Sequence, residues 1–461
     1  MLHVVTSILL ALVLGAPLAT EPTPSSVYRG RVVRVPEDHH SIAEALASSQ
    51  PNDRVLIGPG TYYETLELPD HDVVLVSTHG PELTMIDGGN SSLHAPLQPH
   101  QPQGGVILMG PYAGNVELQG LTIQHGWSNE GGGIRVAGGV MTAKGCHFKG
   151  CNSTFGGAVC VLGGRVELQQ CTLVDCGATF GGGVAVITGE LDFTSTSTER
   201  CAAQASGGGA WCDNGGTLIA KDSTWRHCHA AQGGGLGIQG LVQLENSSIQ
   251  HCRSEGHGGG LQLAAAASGV LRSVKFGKNQ AANGGGISVE AGARLRGEQV
   301  AITSCTADRG GGLVTLGRST FQHLTIRSCR AETIGGAIAL GRAHPQASLS
   351  ITNTNLEDNH AQYGAAVYGE PTGALTLADA ELTNNHAAEQ GGGVHLHGVN
   401  CTLTDVHFTN NRAVNTTDVF FRDGQLFLNN VTRTGPVYGI QAFSLDGPNL
   451  KVRLGPTSSS R

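Results

Sequence analysis

The stretch "HCRSEGHGGGL", residues 251–261, gathers a cysteine, two histidines, a carboxylate and a glycine run into eleven residues. Those are residue types of catalytic sites, and the glycine triplet after His257 has the look of an anion-holding loop. The stretch is not unique, however. Glycine clusters followed by an aliphatic residue or alanine begin at 131, 156, 181, 207, 233, 258, 284, 310, 335, 364 and 391. Fixed-period self-similarity outranks any local motif, because it marks a repeat architecture.

The repeat has a full signature. Five or six residues before each cluster stands Cys or Asn: Cys151, Cys176, Cys201, Cys228, Cys252, Asn279, Cys305, Cys329, Asn359 and Asn385, with Asn411 continuing the series. Three residues earlier is usually a large apolar residue, as in Phe148, Leu173, Trp225, Ile249 and Phe276. Two residues after the Cys or Asn comes Ala or Ser throughout, from Ser153 to Ala413. Between these signals run short apolar–polar alternations such as "GIRVAGGVMTAKGCHF", 133–148, which read as strands. Three strands in each repeat of about 25 residues make one coil of a parallel β-helix. One coil cannot bury its own inner face, so stacked coils must carry like side chains at each level.

An open coil end is an edge that invites aggregation. The segment "SIAEALASSQ", 41–50, has the capping-box pattern Ser41-x-x-Glu44 with apolar Ile42, Ala45 and Leu46, and predicts a short helix over the first coil. The organisation expected is a signal peptide at 1–20, an N-terminal segment with its helix at 21–52, the β-helix at 53–430, and a C-terminal cap and tail at 431–461. The Pro- and His-rich residues 91–104 read as a long loop off the barrel.

Composition bounds the function. Charged residues are 14% and aromatics 5%, whereas the 69 glycines are about twice the usual share. A net charge of −8 without a basic block excludes nucleic acid as an expected partner. The apolar N-terminal run ending in "APLAT" reads as a secretory signal, so the expected location is extracellular, with no span in the mature chain. Six sequons accord with export: Asn90, Asn152, Asn246, Asn400, Asn415 and Asn430. No motif calls for a cofactor.

With these residues in view, "SIAEALASSQPNDRVLIGPGTYYETLEL" resembles the N-terminal capping segment of the pectate-lyase-like right-handed parallel β-helix superfamily. The repeats are similar to those of chlamydial polymorphic outer-membrane proteins, although those end in a membrane barrel and this sequence has no such pattern. The resemblance implies the right hand of the coil. It specifies fold far better than function, because the superfamily holds lyases, hydrolases, esterases and adhesins.

Of a polygalacturonase-type site only Gly256-His257-Gly258 is present; Asp-Asp and Arg-x-Lys are both missing. Glycoside hydrolysis needs two nearby carboxylates. The outward positions after each glycine cluster, from Arg135 through Trp211 and Tyr368 to His395, contain no acid, and the next outward column offers only Asp213, Glu290 and Glu370, several coils apart. No nucleophile elbow occurs either. No catalytic residue is therefore assigned.

The Cys/Asn column reads as an inner corner ladder in which Cys is the apolar substitute for Asn; bridges between neighbouring levels stay open. Glu370, His395 and His397 share one outward side on neighbouring coils and form the candidate metal set. The residue just before each glycine cluster varies freely, which is how a solenoid writes binding specificity. Phe155, Phe180, His257, Asn283, Arg309 and Tyr363 are the candidate ligand-binding residues from that stripe. The reading is a secreted or surface-associated binding protein, carbohydrate-binding or adhesin-like, with a polysaccharide lyase or glycoside hydrolase as the alternative.

Overall fold

The computed structural model describes residues 30–89, 105–341, 347–371, 373–437 and 441–454. The signal segment, the 91–104 loop and the sequon Asn90 lie outside the described residues. One continuous system of parallel strands forms the molecule. Each strand pairs with its copy one coil before and one coil after. The column holding Ile134–Val136 runs from Leu66–Glu67 to Gln441–Leu454, with every pairing parallel.

The coil holds more strands than the repeat pattern predicts. A single repeat contains Ile134–Val136, Val140–Lys144, His147–Lys149 and Asn152–Phe155, four segments rather than three. The extra division comes from left-handed corners that carry ordinary side chains. Gln170, Ser195, Asp222 and Asn246 hold one such column, and Asp175, Arg200, His227 and His251 another, all with φ between 48° and 55°. Such a residue costs on the order of 1 kcal/mol and persists where surrounding structure over-determines it. Here the stacked coils on either side supply that constraint. Glycine marks these corners in the early coils, as at Gly145 and Gly150, but from Gln170 and Asp175 ordinary residues take its place through the following coils, so the sequence pattern hides them.

The third corner is the glycine cluster, and there two demands coincide. Gly258 has φ of 63°, and a Cβ on it would lie 2.3 Å from Leu261 O. Gly259 has room for none either, since its Cβ would meet Gln280 O at 2.5 Å. The first glycine sets the turn and the second lets consecutive coils close.

The interior is a stack of aliphatic layers: Ile134, Val159, Val184, Leu236 and Leu261 have no exposed surface, nor do Phe148, Trp225 and Phe408. All twelve cysteines are free thiols and buried. Those at the inner corner donate weakly to carbonyls, as Cys201 Sγ does to Leu173 O at 3.8 Å. Where the column carries asparagine the bonds are stronger and continuous. Asn359 Nδ2 donates to Asn385 Oδ1 at 3.0 Å, and Asn385 Nδ2 to Asn411 Oδ1 at 3.1 Å. Asn411 then meets Asp418, which Arg433 holds at 2.8 Å.

At the N-terminal end helix α1 spans Ile42–Ala47, with Ser41 accepting from Glu44 N and with Ile42, Ala45 and Leu46 buried. It packs on Val32–Val35, Asp53–Ile57 and Leu66–Glu67. Glu64 accepts from Ile42 N and Ala43 N, satisfying donors that a helix start leaves open. Two boundaries move. Val32–Val35 already pairs in parallel with Asp53–Ile57, so coiling begins before residue 53. Thr416–Thr434 and Gln441–Leu454 also pair in parallel, so residues 431–434 and 441–454 extend the coil rather than form a separate cap. The alternation that fills the inner face continues there, with Phe443 and Leu450 packed against the core.

Candidate functional site

The strand after each glycine cluster points alternate residues away from the core, and those positions are expected to meet solvent. Most are instead covered, whereas Arg135, Tyr368 and Phe420 are half-buried. Cys160 and Ala185 are fully buried, and Trp211, Gln262, Ser288, Val314, Ala339 and His395 retain less than a tenth of their surface. The cause is the glycine corner, which folds the preceding segment up beside the strand. The variable residue before each cluster then leans over the outward column. The outward column and the variable stripe thus run side by side along the helix axis, and the seam between them is the candidate groove, with the outward column as floor and the variable stripe as one side.

The candidate ligand-binding residues occupy that side in consecutive register. Phe155 pairs with Phe180, Phe180 with Ser206, Ser206 with Gln232, His257 with Asn283, and Asn283 with Arg309. Tyr363 lies beyond Ile334 in the same row. All six candidates are half-buried. The floor was not anticipated as part of the site, and its aromatic members Trp211, Tyr368 and Phe420 are the residues that a reading of one column at a time misses. Setting the two columns side by side would have revealed Trp211, which meets Phe180 of the row, whereas Phe420 meets His395 within the floor column itself.

Rings concentrate at two ends. At the first, Phe155 and Phe180 stack with centroids 5.5 Å apart, and Trp211 meets Phe180 at 4.9 Å over a floor of Cys160 and Ala185. At the second, His395 lies between Tyr368 at 5.1 Å and Phe420 at 4.4 Å, with Tyr363 edge-on at 5.5 Å. Burial, with His397 nearby, pushes the His395 imidazole down to about 4, so it is neutral at ordinary pH. Burial and Glu370 raise the Tyr368 phenol.

Between the ends the floor is small or polar. Gly237 has no side chain, and a Cβ there would lie 2.1 Å from Ser206 Oγ. Beside it is a pocket of about 230 Å³ lined by Phe180, Ser206, Gln232, Ile238 and Gln262. Gln262 Nε2 donates to Glu290 Oε1 at 3.2 Å, and His257 Nδ1 stands 3.5 Å from the same oxygen. Arg309 reaches two coils along to Glu370, at 3.0 Å. The cationic groups that line the groove are therefore matched by carboxylates.

The candidate metal residues have other engagements. Glu370 binds Arg309, His395 is enclosed by rings, and His397 Nε2 stands 3.8 Å from Asp423. Among the described residues no group of three His, Cys, Asp or Glu side chains is arranged to hold a metal ion. Glu290 and Glu370 lie three coils apart, about 14 Å at the strand spacing. Paired-carboxylate glycoside hydrolysis uses roughly 5–10 Å.

A charged cluster outside the groove also escaped the sequence reading. Arg165 is ion-paired with Glu167 at 3.0 Å and with Glu190 and Asp192 on the next coil. Burial, against the pull of Arg165, pushes the Asp192 carboxyl up to about 6. The guanidinium occupies the space between these acids, so the cluster is structural in form.

Comparison with known proteins places the architecture. Residues 181–331 match the sequence model of the family described as "Right handed beta helix region". The chain is a right-handed parallel β-helix. Solved structures similar to this β-helix include a periplasmic alginate epimerase, at 8% identity over 86% of this chain and 79% of that one, with a TM-score of 0.33. A family 28 exopolygalacturonase of Yersinia enterocolitica is 12% identical over 93% of this chain and 79% of the other, with a TM-score of 0.30. The catalytic domain of a GH87 α-1,3-glucanase is 11% identical over 95% and 69%, with a TM-score of 0.32. Likeness at this level carries no argument about this chain. No curated protein matches the chain in sequence. The finer resemblance to polymorphic outer-membrane proteins rests on the repeat residues only. No helix among the described residues is long and apolar enough to cross a membrane.

Proposed function

We propose that the β-helix groove binds an extended, neutral carbohydrate chain laid along the helix axis, and that the protein is a secreted or surface-associated binding protein. The observation that carries this reading is the pairing of two ring clusters at the ends of one groove with a small, polar floor between them. Aromatic faces pack on the apolar faces of sugar rings, while side-chain amides, hydroxyls and imidazoles meet their hydroxyls. From Trp211 to Tyr368 the floor climbs six coils, about 29 Å at the strand spacing. That length suits a multi-residue chain rather than a single sugar. Neutrality follows from the ion pairing: Arg309 and His257 already face Glu370 and Glu290, so a polyuronate would have to displace a carboxylate to find a cation.

The test is a panel of neutral glucans, mannans and xylans beside polyuronates, run for retention and for new reducing or unsaturated ends together. Retention of a neutral glycan is expected, weakened at least about tenfold by either Trp211→Ala or Tyr368→Ala, the scale of losing a buried aromatic anchor. New chain ends that vanish in Glu290→Gln or Glu370→Gln would replace this reading with the hydrolase or lyase one. Failure to retain any glycan would end it.

A further inference from the structure

Away from the groove, the coils around residues 226–278 carry a concentration of exposed cations in a chain whose net charge is −8. Three adjacent columns contribute. Arg226 closes its strand and pairs in register with Gln250. The left-handed corner that follows places His227, His251 and Lys278 on successive coils, each with φ between 54° and 55°. The outward position after the buried Cys252-type residue holds His229 and Arg253, also in register. The two corner imidazoles stack with centroids 4.9 Å apart and planes 20° apart. Among the described residues none of Arg226, His227, His229, His251, Arg253 and Lys278 takes part in an ion pair.

The contrast with neighbouring coils makes the patch specific. One coil earlier the corner residue Arg200 is held by Asp175 at 2.8 Å and by Glu199 at 2.7 Å. Further along, Arg327 is matched by Glu357 and Asp358, beside Arg330 and His360. Between these stretches all three columns turn cationic together, whereas farther along, where Arg330, His360 and His386 continue the outward column, the corner holds Asp358 and Asn384 instead of cations. Glu199, in register with Arg226, is already engaged with Arg200, and Glu255 lies two residues beyond Arg253.

We propose that this corner is a docking site for a linear sulfated polysaccharide, separate from the groove and independent of the groove reading. The coil step repeats a cation about every 4.8 Å along the axis, so a chain with regularly spaced anionic groups can meet several at once. Guanidinium groups bind such oxyanions in bidentate fashion. The stacked corner at His251 gives the site a pH response. His251 is made harder to protonate by burial, then by His227, Lys278 and Arg226, so the empty patch limits its own charge. A bound anion reverses that repulsion and draws protons on, and by linkage affinity rises as pH falls through the histidine range. Sulfate esters stay ionised throughout that range, so the partner loses nothing as the site gains charge.

The experiment is binding of the full chain to immobilised dextran sulfate, with unsulfated dextran, a polyuronate and phosphatidylserine vesicles as parallel arms, at pH 7.5 and 5.5. Salt-sensitive retention on dextran sulfate alone is expected, at least about fivefold tighter at the lower pH. Arg226→Ala with Arg253→Ala should weaken it roughly tenfold without moving the melting temperature. His227→Gln with His251→Gln should flatten the pH dependence. No retention, retention indifferent to the arginine pair, or equal retention on polyuronate or vesicles would overturn the proposal. Because the patch shares no residue with the groove, the arginine variant should bind neutral glycan normally, so the two readings can fail separately.

Discussion

The two ends of the groove solve one problem with different chemistry. At the first, Phe155, Phe180 and Trp211 form a hydrocarbon platform over Cys160 and Ala185, and the corner beneath is a column of thiols. At the second, Tyr363, Tyr368, His395 and Phe420 stack in file, and the corner is the amide ladder Asn359–Asn385–Asn411. Both ends present rings, and both corners turn the same way. The difference lies in what each would lose. A thiol column forfeits packing when a member is removed, whereas an amide ladder strands its neighbours' polar groups in the dark. The hydrocarbon platform is indifferent to pH, whereas the second end has a titratable ring at its centre.

The sharpest way to break the comparison is Asn385→Ala. It removes bonds to Asn359, Leu356 and Asn411 and leaves buried groups unpaired. A destabilisation on the order of 4 kcal/mol is expected from several such losses. In a solenoid this loss stays local, so hydrogen exchange should speed up in the coils from 356 to 411 and remain unchanged near Cys201. Uniform loss of protection would contradict the amide ladder as a local device.

Trp211→Ala comes next. Truncating a buried indole costs about 3 kcal/mol or more, and the resulting fall in melting temperature should be the same at pH 7 and pH 5. His395 should behave otherwise. Its folded pKa lies near 4, below the ordinary histidine value, so the fold favours the neutral ring. That stability is fully present above about pH 6.5 and is lost as pH falls toward 4, amounting to about 2 kcal/mol by pH 5. His395→Phe should abolish the acid-induced drop in the C-terminal coils. A melting curve equally acid-sensitive in that variant would place the effect elsewhere.

The smallest effect is expected from Cys201→Ala. Its Sγ contacts to carbonyls are long, at 3.6 and 3.8 Å, so the cost is mainly packing, about 1 kcal/mol. Melting curves of Cys201→Ala and Asn385→Ala side by side measure how far a thiol substitutes for an amide at this corner.

Much of this was legible in one dimension. The spacing of the glycine clusters required stacked coils, because a period of that length cannot close a core in a single unit. The alternation from Ile134 to Phe148 assigned inward and outward faces correctly, and the buried Cys/Asn column lies at the corner its spacing implied. The stripe from Phe155 to Tyr363 announced itself by varying where all else repeats. The non-glycine corners at His227 or Asp222 could not be seen, since their backbone is set by the coils above and below rather than by the residue.

The same boundary separates the stretch at 251–261 into its parts. Sequence alone determined that Cys252 faces in, that Arg253 faces out and that the glycines turn the chain, because period and local sterics decide these things. Only the tertiary structure decided that the outward column is sheltered and that His257 meets Glu290 from the next coil. It also decided that His251 stacks on His227, a residue 24 positions earlier. Those outcomes depend on how a corner folds over its neighbour and on which side chains stacking brings level, and no periodicity in one chain encodes the depth of a groove.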